Sequence, residues 1–204
     1  MFEASRLECV RGDSRLFSDV GFLLEPGGLL HVKGPNGSGK SSLLRMLCGL
    51  ILPESGEIKW NNVNIRHSED YNQSLTYLGH LNGIKDELSG IENLRINCGL
   101  AGFDISEEQA YDALERMGLE GREHLPVSVL SQGQRRRVML ARLLVARTPL
   151  WILDEPIVAL DTDAIGMIRS LFELHLDEGG MLILTTHQEM EIAAKTTQEV
   201  RLNS

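Results

Sequence analysis

The chain has 204 residues, 42% of them hydrophobic and 24% charged, with a net charge of −9. That length and composition fit one soluble-type domain able to bury a substantial core, and the acidic balance argues against a nucleic-acid backbone as main partner. No run of 18 apolar residues is available to span a bilayer: the most apolar region, Val138 to Leu153, is interrupted by Arg142 and Arg147.

The first ten residues, MFEASRLECV, lack the basic start and apolar stretch of a secretion signal. Cys9, Cys48 and Cys98 are odd in number and far apart, without a C-x-x-C, so they read as reduced thiols and small buried hydrophobes. Residues 1–33 read as short strands with turns at Arg11–Ser14 and Pro26–Gly28. The last of these, Gly28–Lys33, is mostly apolar and suits a buried strand.

Gly34-Pro35-Asn36-Gly37-Ser38-Gly39-Lys40-Ser41-Ser42 follows it and fits G-x-x-x-x-G-K-[ST], the loop that wraps nucleotide phosphates. Glycines let the backbone curl until several N–H groups face one anion. The next segment, SSLLRMLCGL, reads as a helix whose positive end adds to the attraction. Lys40 is expected to reach the β- and γ-phosphates and the Ser41 hydroxyl to ligate Mg²⁺.

Further along, Pro53–Gly56 reads as a turn before a strand at Glu57–Trp60. Residues of about 86–145 change character. Ser106-Glu107-Glu108-Gln109 marks a capped helix start, Ala110, Ala113, Leu114 and Met117 recur at helical spacing, and Gly118 ends the segment. Strands and helices then alternate: Leu150–Leu153, a helix after Asp161, a strand at Met181–Thr185 and a helix at Glu189–Thr196. Such alternation around a phosphate loop predicts a mostly parallel sheet covered by helices. The expected architecture is α/β, one domain over 1–204, with a core of about 1–85 and 146–204, a helical insertion of about 86–145 and an N-terminal antiparallel β region.

Leu150-Trp151-Ile152-Leu153-Asp154-Glu155-Pro156 sets two carboxylates at the carboxyl end of an apolar strand, the edge where open α/β sheets bind ligands. Asp154 is expected to hold Mg²⁺ through water, and Glu155 to polarise the water that attacks the γ-phosphate. Alone, this pattern also describes an ordinary acidic loop. Leu182–Thr185 followed by Thr186-His187 repeats the arrangement, and His187 can donate to the γ-phosphate, although a lone histidine after a strand is commonly a solvated loop residue. Leu130-Ser131-Gln132-Gly133-Gln134 precedes a helix, and by itself reads as a helix cap.

The set GPNGSGKSS, LSQGQ, WILDEP, VALD and TTH, in that order, resembles the ATP-binding subunits of ABC transporters over essentially the whole chain. The resemblance implies a P-loop NTPase of the ABC type that hydrolyses ATP with Mg²⁺, and a head-to-tail homodimer sandwiching two ATP molecules. Ser131, Gly133 and Gln134 would touch the γ-phosphate bound to the other subunit, and Asp161 would lie in the segment crossing the interface. Glu155 would be the catalytic carboxylate and His187 the switch histidine.

Two positions depart from the family. The aromatic residue that stacks on adenine falls at about Arg11; Phe17 is the nearest aromatic, and alternation makes it a core candidate. An arginine plane also stacks on a base. The glutamine expected to ligate Mg²⁺ is His80, a poorer Mg²⁺ ligand. His80, Gly83-Ile84-Lys85, Leu88 and Glu92-Asn93-Leu94, with WILDEP and TTHQ, resemble the ATP-binding subunits of the cytochrome c biogenesis system, the haem exporter ATPases. That implies a peripheral protein on the cytoplasmic face of the bacterial inner membrane, docked on integral membrane subunits through the surface around His80 to Leu88 and the helical insertion, with hydrolysis linked to release of a haem-loaded chaperone. Direct haem binding is not expected, because there is no C-x-x-C-H and the six histidines are scattered. Three other readings remain open: the same engine on another small-molecule transporter, a soluble ABC ATPase of repair or translation, and a non-hydrolysing nucleotide binder.

Overall fold

The structure, a computed structural model, describes residues 1–80, 83–188 and 190–203. Period-two alternation builds its first sheet. Strand β1 (Phe2–Arg11) buries Phe2, Ala4, Leu7 and Cys9, and pairs antiparallel with β2 (Ser14–Leu24). β4 (Ser55–Trp60) pairs with the other edge of β1, and β5 (Val63–Asn64) with β4, giving the order β2-β1-β4-β5. The antiparallel region is therefore completed by residues from beyond the phosphate loop.

The second sheet is made of β3 (Gly28–Lys33), β6 (Leu75–Leu78), β7 (Leu150–Asp154), β8 (Met181–Thr185) and β9 (Thr196–Arg201). Its order is β6-β7-β8-β3-β9, and all four pairings are parallel. Both faces are covered, so β7 and β8 are buried throughout their length. Leu29, Trp151, Leu153, Leu182 and Leu184 face one apolar core; Leu30, Val32, Leu150, Ile152, Met181 and Ile183 face the other. The first core also takes residues from α2 (Gly90–Leu100), α3 (Glu107–Arg116), α4 (Gln132–Leu140), α5 (Arg142–Val145) and α6 (Thr162–Asp177). The second takes α1 (Lys40–Leu47) and the antiparallel sheet. Phe17 belongs to that second core, as its alternation indicates.

Helices start where short polar side chains satisfy the first free N–H groups. Ser89 with Glu92, Ser106 with Gln109 and Ser131 with Gln134 form reciprocal capping boxes, and Asp161 caps α6. Gly118, with φ +68, follows the end of α3. One expectation is corrected. Residues 190–195 form no helix; the chain crosses them in irregular conformation and enters β9 at Thr196, while Glu189 lies outside the described residues. Ile192 is buried in the first core, so this segment packs as a loop rather than on a helical face. Cys9, Cys48 and Cys98 are free and buried; burial pushes the Cys98 thiol up to about 11.

Because the five strands are parallel, their carboxyl ends share one edge. The phosphate loop leaves β3 there, the Asp154–Glu155 pair ends β7, Thr186 and His187 follow β8, and Gly79-His80 follows β6.

Candidate functional site

Residues Gly34–Gly39 turn the chain from β3 into α1 through three left-handed glycines, Gly34 (φ +154), Gly37 (φ +86) and Gly39 (φ +98). At Gly34 no side chain fits: a Cβ would sit 2.5 Å from the Ser38 hydroxyl and 2.6 Å from the Leu202 carbonyl oxygen. Gly39 is the N-cap of α1 and offers no side-chain acceptor, and the first turn carries no acid. The opening N–H groups of α1 thus have no protein acceptor from a cap, unlike those of α2, α3, α4 and α6. Lys40, only 9% exposed, donates from Nζ to the carbonyls of Gly34 (2.7 Å) and Pro35 (3.1 Å), so its ammonium is held inside the loop. Among the described residues the buried Ser38 Oγ has no hydrogen-bond partner. An unpaired hydroxyl, an uncapped helix start and a confined ammonium together suit a polyphosphate.

A cleft of about 490 Å³ opens over this loop. Asn36, Gly37, Gly39, Lys40, Ser41 and Ser42 form its floor, and His80, Glu155 and His187 one wall; Arg11 and Leu16 also line it. The two positions that depart from the family pattern, Arg11 and His80, therefore both face the same space as the phosphate loop.

Asp154 is 3% exposed and does not line the cleft; its Oδ1 accepts from the Thr185 hydroxyl at 2.7 Å. The same hydroxyl accepts from the Glu155 amide at 2.9 Å. Thr185 thereby ties the end of β7 to the end of β8 and orients the carboxylate pair. Glu155 has a left-handed backbone (φ +50), a strained conformation for a non-glycine residue. Its Oε1 lies 3.1 Å from Nε2 of His187.

Arg136, 5% exposed, reaches from α4 to the same turn. It donates to the carbonyls of Asp154 (2.9 Å), Glu155 (2.5 Å) and Pro156 (3.0 Å). Neither Thr185 nor Arg136 was picked out from sequence. Thr185 carried a signal, since it is the first residue of the TTH motif. Arg136 carried none, because it stands inside a run of three arginines.

Ser131, Gly133, Gln134 and Asp161 do not line the phosphate cleft. Ser131 and Gln134 bond each other, with the Gln134 amide on Ser131 Oγ at 3.2 Å and the Ser131 amide on Gln134 Oε1 at 2.9 Å. The Asp161 carboxylate accepts from the Ala164 amide at 2.8 Å. In a single chain Ser131 with Gln134 and Asp161 cap helices, and Gly133 lies within the first turn of α4.

The segment from His80 to Leu88 includes Leu81 and Asn82, which lie outside the described residues. Its latter part is pinned by Asn93 of α2, which accepts from the Lys85 amide (2.6 Å) and donates to the carbonyls of Lys85 (2.9 Å) and Leu88 (3.2 Å).

A glycine-rich loop opening a helix at the carboxyl edge of a parallel sheet, with paired carboxylates two strands away, defines a P-loop nucleotide-binding domain. The family model described as ABC transporter matches residues 17–158. The cytochrome c biogenesis ATP-binding export protein CcmA of Nitrosospira multiformis is 60% identical, with 98% of each chain covered. The protein of the same description from Nitrosomonas europaea is 59% identical, over 100% of this chain and 96% of its own. A solved structure described as an ABC transporter ATP-binding protein from Pyrococcus furiosus superposes with a TM-score of 0.82 at 27% identity, over 97% and 96% of the two chains. The fold of a dimeric ATP-binding cassette in a post-hydrolysis state, bound to ADP and Pi, is also similar, at TM-score 0.80 and 23% identity, over 92% and 88%. This chain belongs to the ABC transporter family, among its CcmA cytochrome c biogenesis ATP-binding export proteins.

Proposed function

We propose that this chain is the ATP-hydrolysing subunit of a membrane ABC complex serving cytochrome c biogenesis, where turnover is linked to haem export and release of a haem-loaded chaperone. The observation that carries the reading is the cleft that brings Lys40, Glu155 and His187 together over the phosphate loop, in a chain 60% identical from end to end to a CcmA protein.

In this reading the phosphates of ATP displace the loop carbonyls from Lys40 and accept from the backbone of Gly34–Ser42. Arg11 and Leu16 receive the base. Glu155 holds the attacking water and draws its proton as the bond to the γ-phosphorus forms; ADP leaves with the electrons of the broken P–O bond, and phosphate follows. His187 moves from Glu155 to the γ-phosphate. The hydroxyl of Ser41 and, through water, the carboxylate of Asp154 suit the oxygen preference of Mg²⁺, which neutralises phosphate charge when bound. His80, an imidazole facing the same cleft, serves phosphate or partner better than the metal.

Ser131, Gly133 and Gln134, at the start of α4, lie away from their own cleft, so in this reading they complete the site of a second copy, and Asp161 lies at that contact. Two ATP molecules then close a head-to-tail homodimer and hydrolysis opens it. We assign 1–85 and 146–204 to the core and 86–145 to a helical insertion that, with the His80–Leu88 surface, meets integral membrane subunits. Among the described residues no helix is long and apolar enough to cross a membrane, which suits a peripheral subunit on the cytoplasmic face of the inner membrane.

The test is Glu155→Gln. The variant should bind ATP, lose turnover and accumulate as an ATP-dependent dimer that still copurifies with its membrane subunits. Hydrolysis at the normal rate would overturn the role of Glu155, and copurification with an unrelated permease would replace cytochrome c biogenesis by another transport role.

A further inference from the structure

We infer that Arg136 is the positioning residue for Glu155, holding the strained turn that aims this carboxylate into the phosphate cleft. The inference rests on the reading of Glu155 as the carboxylate that activates water.

Successive carbonyls of an extended strand point to opposite sides. Those of Asp154, Glu155 and Pro156 instead converge on one guanidinium, at 2.9, 2.5 and 3.0 Å. Such convergence needs a sharp reversal directly after β7, and the reversal occurs at Glu155, whose φ of +50 is adopted at a cost by any residue with a side chain. A planar fork of several donors can hold carbonyls at different directions at once, which a single ammonium cannot.

Burial lowers the guanidinium to about 10, against the upward pull of Asp154 and Glu155, so it is charged at neutral pH. The far end of the same turn is braced by the same helix. Ala159 is also left-handed (φ +65), and a Cβ on Gly133 would come within 2.6 Å of its carbonyl oxygen. Helix α4 thus grips the loop from Asp154 to Ala159 at both ends. A cavity of about 170 Å³ adjoins the grip, lined by His80, Gln132, Arg136 and Glu155 among others, so a shorter cation there meets water rather than a clash.

The consequence concerns geometry rather than affinity. Arg136 touches the backbone under Glu155 and does not line the phosphate cleft. Loss of the fork should let the carboxylate drift while Lys40 and the loop still hold ATP. Displacements of about 1 Å at a reacting group cost on the order of a hundredfold in rate.

The experiment compares wild type, Arg136→Lys, Arg136→Met and Glu155→Gln in the full chain, for kcat, KM, ATP affinity and oligomeric state in ATP. Arg136→Lys should lower kcat at least about tenfold, leave KM and ATP affinity within about twofold, and accumulate the ATP-bound dimer with Glu155 intact. If Arg136→Met does not fold, Arg136→Lys, which keeps the charge and the stem, carries the test. A wild-type kcat in Arg136→Lys overturns the inference, and so does a fall in kcat accompanied by equal loss of ATP binding and of the dimer, which marks a structural role. Normal turnover by Glu155→Gln would instead remove the reading of Glu155 itself.

Discussion

Arg11 lines the cleft over the phosphate loop, and in the proposed reading its chemistry sets how firmly the base is held. It shares that lining with Leu16 and is exposed, without a rigid aromatic face. Phe17, the nearest aromatic, is committed to packing beneath the loop, where its ring would lie 3.0 Å from a Cβ on Gly39. A flexible arginine must surrender rotamer freedom to stack, whereas a tyrosine offers a pre-formed plane. Arg11→Tyr should therefore tighten ATP binding by about 1 kcal/mol, roughly fivefold, read by titration with a fluorescent nucleotide. Unchanged affinity would place the base elsewhere in the cleft. The departure at Arg11 is legible only by setting the family resemblance beside the spacing; that Arg11 and His80 open onto one space is legible from neither.

At the scale of the element, the helix that starts at Gln132 shows how one sequence pattern serves three ends. Arg135 pairs with Asp86 at 3.1 Å and donates to the Ser128 and Leu130 carbonyls. Arg137 donates to the carbonyls of Met117 and Gly118 at the end of α3. Arg136, between them, goes to the turn after β7. Periodicity says that neighbours on a helix point about 100° apart, but not what each will meet. A second element-scale device lies at the opposite edge of the sheet. His175 of α6 stacks on Trp151 of β7, with ring centroids 3.7 Å apart and planes 3° apart, and its ring occupies the place of a side chain on Gly180. A methyl group there must drive the imidazole off the tryptophan. Gly180→Ala should lower stability by about 1–3 kcal/mol, measured by denaturant melting; an unaltered midpoint would mean that the ring shifts freely.

For the whole molecule, that stack has a pH signature. Burial, opposed by the contact with the Met181 carbonyl, pushes His175 down to about 4. A free histidine titrates near 6.5, so the unfolded chain binds this proton first. Stability due to the neutral imidazole is complete above about pH 6.5 and drains away as pH falls towards 4, by about 3 kcal/mol in all. His175→Gln should flatten that part of the stability profile relative to wild type, whatever the carboxylates contribute. Equal slopes in the two proteins would show that His175 takes up its proton alike in the folded and unfolded chain.

The chain's own spelling determined the parts that depend on near neighbours. Glycines at fixed spacing dictate the phosphate loop because only they reach its backbone angles. Ser106 with Gln109 marks a helix start because both partners lie within one turn. Alternating strands and helices imply a parallel sheet because a parallel connection needs a crossover. The motif order placed the chain in its family. Tertiary structure decided the rest. Asp154 and Thr185, Glu155 and His187, and Arg136 and the turn after β7 meet only when separate strands and a distant helix pack edge to edge. The segment before β9 gave up its expected helix for the same reason: the apolar Ile192 found its place in a core already built by others. Local rules fix backbone shape, whereas the aim of a side chain is settled by whatever the remainder of the fold brings within reach.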